Sequence, residues 1–358
     1  MTKEGLIEVI YIFIIKVFMG IKGFSKVFTA KVISQKDLKN LNGAFDASVI
    51  LFQSCLGMTS VNGLTDSSGN PTLHINVIIS RVINFIKESI GQVWVFDFHE
   101  YMYSSPDKEI ELEKRRKRRN NAKKKIAELK EKKSLNDELF SDSDDENFNI
   151  SIDKKINQQE KITFSITEKI INDCKFILDC FDITWCIAPM NIEAEALCAE
   201  LTNTDELDFE CDFVYSTDVD ALLYGAKSLV RSVKSQNKKS LQLFSLDSLL
   251  LHNEITSDDL IKIGIILGSD HAPKTQKIGA KTVLKKFKTI TLTAEQIKAC
   301  KVFKPVIDVE QIKFHNKFNL VKPGSNINKL KKLLDWLESK NFNRERIRQQ
   351  IMKVNTNI

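Results

Sequence analysis

QVWVFDF, residues 92–98, is a run of apolar and aromatic side chains closed by an acid, Asp97. Val, Trp, Val and Phe in succession show no helical spacing and read as a strand buried on both faces. Similar apolar runs ending in acids recur at NGAFDAS (Asp46), DFVYSTDVD (Asp218 and Asp220) and IGIILGSD (Asp270), the last of which also admits a helix. Between them lie segments with helical spacing, HINVIISRVINFIKESI (74–90) and ITEKIINDCKFILDCF (166–181). This alternation predicts an α/β fold with a central, mostly parallel sheet flanked by helices. Ligands of such folds sit outside the carboxyl ends of the strands, which is where these acids fall. A single aspartate after a strand is ordinarily a turn former or a helix N-cap. Four apolar runs ending this way point instead to a shared site.

A further pair of acids interrupts IEAEALCAE (192–200). Alanines and a cysteine around Glu193 and Glu195 imply close packing, and an ionised carboxylate is costly to bury without a positive partner. Two residues apart, the pair would diverge on a regular helix, so Glu193 is expected at or before the helix start. Carboxylates converging at one sheet edge persist only if some protonate or if hard cations bind them. Oxygen donors with no histidine nearby favour magnesium, with manganese able to replace it. Two such ions about 4 Å apart suit in-line attack on a phosphodiester.

Composition sets the surroundings. The chain has 358 residues, 42% hydrophobic and 28% charged, with a net charge of +6, as expected of a soluble globular protein. Its seven cysteines are odd in number and lack C-x-x-C pairs, which argues for reduced thiols inside a cell and against a zinc site. Residues 1–18 hold an apolar run broken by Glu8, too short to span a bilayer and without a small-residue cleavage site. They are expected to be a non-native upstream start ahead of Met19, with an extra strand or helix as the alternative, and neither secretion nor a membrane partner is expected.

Charge is concentrated in one place. Residues 108–133 carry thirteen Lys/Arg against five Glu, a net +8, with no sustained apolar stripe. This is the electrostatic footprint of a helix outside the core that meets a phosphate backbone. A nuclear localisation signal around Lys114–Arg119, or a plain solvated helix, is the alternative. NDELFSDSDDE (136–146) follows with six acids and reads as disordered linker. Turn residues in 268–287 lead into a helix at Lys281, and 325–354 reads as two helices broken at NFN.

Taken in order, MGIKGFSKVF (19–28), FDASVILFQ (45–53), VWVFDF (93–98), EKRRKRR (113–119), IEAEALCAE (192–200), YSTDVDALLYG (215–225) and LGSDHAPKTQKIGAKTV (267–283) resemble the XPG family of structure-specific nucleases, most closely its flap endonuclease branch. The resemblance implies a nuclease core with a helical arch and a C-terminal helix–two-turn–helix region. It implies that Asp46, Asp97, Glu193, Glu195, Asp218, Asp220 and Asp270 hold two magnesium ions. Lys108 and Arg115 match arch residues that reach the scissile phosphate, and Arg116, Arg118 and Arg119 would line the same DNA path. Phe52 matches an aromatic that stacks on a nucleobase, with core packing as its alternative. In the two-turn motif Lys277 replaces a glycine while Ile278, Gly279 and Lys281 remain; these would hold a duplex phosphate together with potassium.

Several departures accompany the match. Extra residues fall within FHEYMYSSP and before Glu193, and the linker 134–157 is longer and more acidic than usual. The chain ends at KVNTNI without the tail that docks some members on a sliding clamp, so no clamp partner is expected. By the resemblance the segment 1–18 would obstruct DNA. The expected division is 1–18 as an extension, 19–107 and 158–270 as the nuclease regions, 108–157 as arch and linker, and 271–358 as the DNA-binding region. The expected activity is magnesium-dependent hydrolysis of DNA with 5′ flaps or junctions, by a monomer in the nucleus or at a cytoplasmic viral replication site. A 5′–3′ exonuclease, an RNA-cleaving nuclease and a non-catalytic DNA-binding scaffold are the alternatives.

Overall fold

The computed structural model describes residues 21, 23–56, 66, 72–98, 106–139, 146–163, 166–235, 238–318 and 323–355. Its seven strands are β1 (Lys31–Ile33), β2 (Asn42–Asp46), β3 (Gly91–Phe96), β4 (Thr184–Ile187), β5 (Phe213–Tyr215), β6 (Ser228–Ser235) and β7 (Lys238–Ser245). They form one sheet in the order β1-β7-β6-β5-β2-β3-β4. The five strands from β6 to β4 are parallel, and β7 and β1 add an antiparallel edge. The chain runs from β2 outward to β3 and β4, then returns to place β5 on the other side of β2. That reversal opens a crevice at the carboxyl ends of β2 and β5, the usual ligand position in such sheets.

The helices that bear on the site are α1 (Ala47–Leu56), α2 (Leu73–Lys87), α3 (Pro106–Leu139), α4 (Glu146–Thr163), α5 (Glu168–Cys180), α6 (Ala194–Glu200), α7 (Asp220–Leu223), α8 (Ser257–Leu267), α9 (Ala294–Val302), α10 (Ile327–Ser339) and α11 (Arg344–Ile351). Alternation along the strands divides the core in two. Ala44, Val93, Val95 and Val214 face one apolar cluster with Ala194, Leu197, Cys198 and Ala199 of α6. Phe45, Trp94, Phe96 and Tyr215 face the other, with α2, α5 and α10. Phe45 stacks at 5.6 Å on Trp94 and at 5.2 Å on Tyr215. The small-residue face lets α6 lie against β2 and β3, which accounts for the alanines around Glu193 and Glu195.

One expectation is resolved and another corrected. Of the two forms open to IGIILGSD the structure takes the helix: Thr256 and Asp259 form a reciprocal capping box that starts α8, and Gly268 ends it at φ 97°. A short apolar run does not distinguish the two, whereas the capping pair does. The acidic stretch is not simply linker either. Residues 136–139 complete α3 and Glu146 opens α4, and the two helices pack along one another, burying Ala122, Ile152 and Ile156. Lys133 donates to Asp153 at 2.7 Å across this hairpin. Residues 1–18, most of FHEYMYSSP (99–105) and 140–145 lie outside the described residues. The C-terminal helices fall as expected, with Asn341 at φ 63° in the break and Asn343 capping α11. Among the described residues no helix is long and apolar enough to cross a membrane.

Candidate functional site

Asp46 ends β2 and does two things at once. Its Oδ1 accepts the Val49 amide at 3.0 Å, the local turn that starts α1. Its Oδ2 accepts from the Ser216 hydroxyl at 3.4 Å, which ties it to the end of β5. Asp97, one residue past β3, accepts the Ala194 amide at 2.9 Å. It thereby supplies the first turn of α6 with the acceptor that Glu193, the N-cap residue, does not provide. Glu193 stands at that cap in extended conformation and Glu195 in the first helical turn, the splayed arrangement expected of the pair. Asp218 accepts the Asp220 amide at 3.1 Å and donates its own amide to the Ser216 hydroxyl at 3.1 Å.

Asp46, Asp218 and Asp220 are buried, Asp97, Glu193 and Glu195 half-buried, and Asp270 exposed at the rim. Their charges act on one another. Burial first, then the charges of Asp97 and Asp218, pushes Asp46 up to about 8. Burial and the Asp270 and Glu193 charges push Asp218 up to about 6, against the opposing amide of Asp220 and the Arg231 guanidinium. Glu195 and Asp220 are held well above the usual carboxylate range by burial and by neighbouring acids. The fold therefore gathers all seven acids into one electrostatically connected cluster from separate stretches of chain. Asp270 reaches it because Gly268, at positive φ, turns the chain sharply after α8; a Cβ there would stand 2.9 Å from Lys274 Cβ.

These residues fit a hard divalent cation. The donors are carboxylate oxygens, several are buried, and Asp220 Oδ1 is buried without a hydrogen-bond partner. Among the described residues no three His, Cys, Asp or Glu side chains are already closed to ion-binding distances.

Four neighbours were not singled out by sequence reasoning. Ser216 bridges Asp46 and the Asp218 amide. Arg231, on β6, donates to the Ser25 hydroxyl at 3.1 Å, and burial lowers its pKa against the pull of Asp218. An arginine inside the apolar run SLVRSV was the available signal. Tyr224 and His271 both approach Glu193. The expectation of no histidine near the acids is thus corrected: His271 follows Asp270 directly, and α8 carries that corner to α6.

The other sequence-assigned residues are spread over three elements. Phe52 is half-buried on α1. Lys108 and Arg115 belong to α3, but their side chains lie outside the described residues. Arg116 and Arg118 are exposed on that helix and Arg119 is half-buried, with Arg116 at 3.7 Å from Glu113. Lys277 and Lys281 are exposed, Ile278 packs against the core, and the Gly279 amide donates to the Thr282 hydroxyl at 3.2 Å. Lys277 adopts φ 59°, so the turn keeps a left-handed residue where the resemblance placed a glycine.

Comparison with known proteins agrees with this geometry. The XPG N-terminal domain matches residues 19–122 and the XPG I-region matches residues 182–270, and together these hold all seven acids. Flap endonuclease 1 of Methanococcus aeolicus is 30% identical, over 94% of this chain and 95% of its own. In fold, the chain is similar to flap endonuclease-1 from Methanococcus jannaschii, with a TM-score of 0.64 at 21% identity over 94% and 98% of the two chains. It is also similar to the catalytic core of Rad2 in complex with DNA substrate, with a TM-score of 0.59 at 16% identity over 94% and 100%. The protein belongs to the XPG family of metal-dependent, structure-specific nucleases, in its flap endonuclease branch.

Proposed function

We propose that this protein hydrolyses DNA phosphodiester bonds near single-strand/double-strand junctions at a 5′ end, using two magnesium ions held by the seven acids. The observation that carries the reading is the cluster itself, raised in pKa by burial and by its own members at the carboxyl edge of a parallel sheet. Bound magnesium would activate water and stabilise the departing oxygen. The chain's own residues do the rest. Asp97 fixes the start of α6, Ser216 holds Asp46 and the Asp218 backbone together, and Arg231 offsets the charge of Asp218.

The substrate reading rests on α3, which begins within ten residues of Asp97 and extends for about 50 Å at helical rise. Lys108 and Arg115 on its first turns are assigned to the scissile phosphate, where they would neutralise developing charge. Arg116, Arg118 and Arg119 track the backbone without base-reading geometry, which suits recognition of shape. The turn 277–281 is assigned to a duplex phosphate, with potassium alongside, and Phe52 to a stacked base. The division into nuclease regions, arch hairpin and C-terminal DNA-binding region follows the same reading, for a monomer that works where cellular or viral DNA is replicated.

End-labelled flap, nicked, bubble and blunt DNAs incubated with magnesium test it. Cleavage should map to the junction on flap DNA, and Asp218→Asn should abolish it while leaving DNA binding largely intact. A wild-type protein inert with both magnesium and manganese would leave only the scaffold reading.

A further inference from the structure

Glu193 is approached on one oxygen by two rings that neighbouring acid segments bring with them. The Tyr224 hydroxyl donates to Glu193 Oε2 at 3.0 Å, and His271 Nε2 stands 3.6 Å from the same oxygen. Tyr224 closes α7, the short helix that begins at Asp220, and His271 directly follows Asp270. Both rings rest on Phe303, with centroids at 4.9 Å for Tyr224 and 5.3 Å for His271. Phe303 is buried at the end of α9, which packs on α8, the helix whose end leads to Asp270. The segments carrying Glu193, Asp220 and Asp270 therefore meet at a single carboxylate over an aromatic seat.

A half-buried glutamate among six other acids is driven outward by like-charge repulsion, and its side chain has several rotatable bonds through which to swing away. A hydroxyl donor at fixed distance opposes that motion. We infer that Tyr224 and His271 are positioning residues that clamp Glu193 for a divalent ion, with Phe303 setting the orientation of both rings. The inference rests on the metal-site reading above. The clamp also makes Glu193 dependent on α9, so the C-terminal region helps to shape the ion site.

The test uses the full chain and manganese alone, with uptake measured by electron paramagnetic resonance in the absence of DNA. Tyr224→Phe removes one oxygen and keeps the ring on Phe303. It should weaken manganese binding by about tenfold, the usual scale for losing a partner that orients a metal ligand. His271→Leu should weaken it too, and His271→Gln, which keeps an N–H donor, should recover part of the loss. Thermal unfolding in EDTA should be unchanged for Tyr224→Phe, and excess magnesium should restore its cleavage of flap DNA. Tyr224→Phe binding manganese within about twofold of wild type would overturn the clamp alone, given the scale above. So would a loss that merely tracks lowered thermal stability, equally in Tyr224→Phe and Phe303→Leu. No uptake by the wild type would overturn the metal-site reading, and the clamp with it.

Discussion

Lys277 occupies a backbone conformation that costs an L-residue with a Cβ about 1 kcal/mol or more, and it is exposed. A chain that keeps lysine there gives up some stability for a cation in the turn. Lys277→Gly should therefore raise the unfolding free energy by about 0.5–1 kcal/mol in urea titrations. If the lysine meets a phosphate, the same change should lower the slope of log affinity against log salt by about one. A Cβ on Gly279 would meet nothing within 4 Å, so Gly279→Ala should leave stability within about 1 kcal/mol of wild type. Its effect should appear in duplex binding, where a strand backbone would come close to that turn.

Arg231 is the other informative residue. It lowers the pKa of Asp218, which burial and neighbouring acids raise to about 6. Without the guanidinium Asp218 would ionise at higher pH. Arg231→Met should thus lose more cleavage activity near pH 6 than near pH 8, read from a pH–rate profile at limiting magnesium, where protonation of Asp218 competes with the ion. An equal loss at both values would assign Arg231 to packing through Ser25 alone.

Among the elements, α3 and α4 stand apart from the sheet. They form a hairpin whose interior is small, with Ala122, Ile152 and Ile156 buried and the Lys133–Asp153 pair more exposed. The ion pair is worth no more than about 1 kcal/mol at such exposure. The apolar contact matters more, because a carboxylate placed in it has no partner. Ile152→Asp should separate the helices, seen as faster amide exchange over 116–133, while the sheet melts at the wild-type temperature. Flap cleavage should fall if the hairpin carries the single strand, and DNA with no free 5′ end should be bound nearly as before.

At the scale of the whole molecule, the two apolar clusters press the strands into one sheet and so force their acidic ends together. The cost is electrostatic. Asp46, Glu195, Asp218 and Asp220 have folded pKa values above their unfolded ones. Between the unfolded values and the raised ones the native state holds more protons, so stability falls as pH rises through that window. In EDTA the unfolding midpoint should drop from about pH 6 to about pH 8 by several degrees, and excess magnesium should remove most of the difference by binding the native cluster. A midpoint independent of pH in EDTA would show that these acids do not carry their repulsion into the folded state.

Much of this was already determined by the sequence. VWVFDF, β-branched and aromatic with no helical spacing, reads as an inner strand, helical spacing marks 74–90 and 166–181, and the order of motifs identifies the family; each is a local property of the chain. The tertiary structure decided what depends on neighbours distant in sequence. The ends of the acidic stretch became parts of two helices because α3 and α4 bury a shared face. Ser216, Arg231, Tyr224 and His271 acquired roles only through proximity. A side chain's charge and hydrogen-bonding capacity are written in its residue type, but the partner that uses them is set by which surfaces the apolar clusters press together.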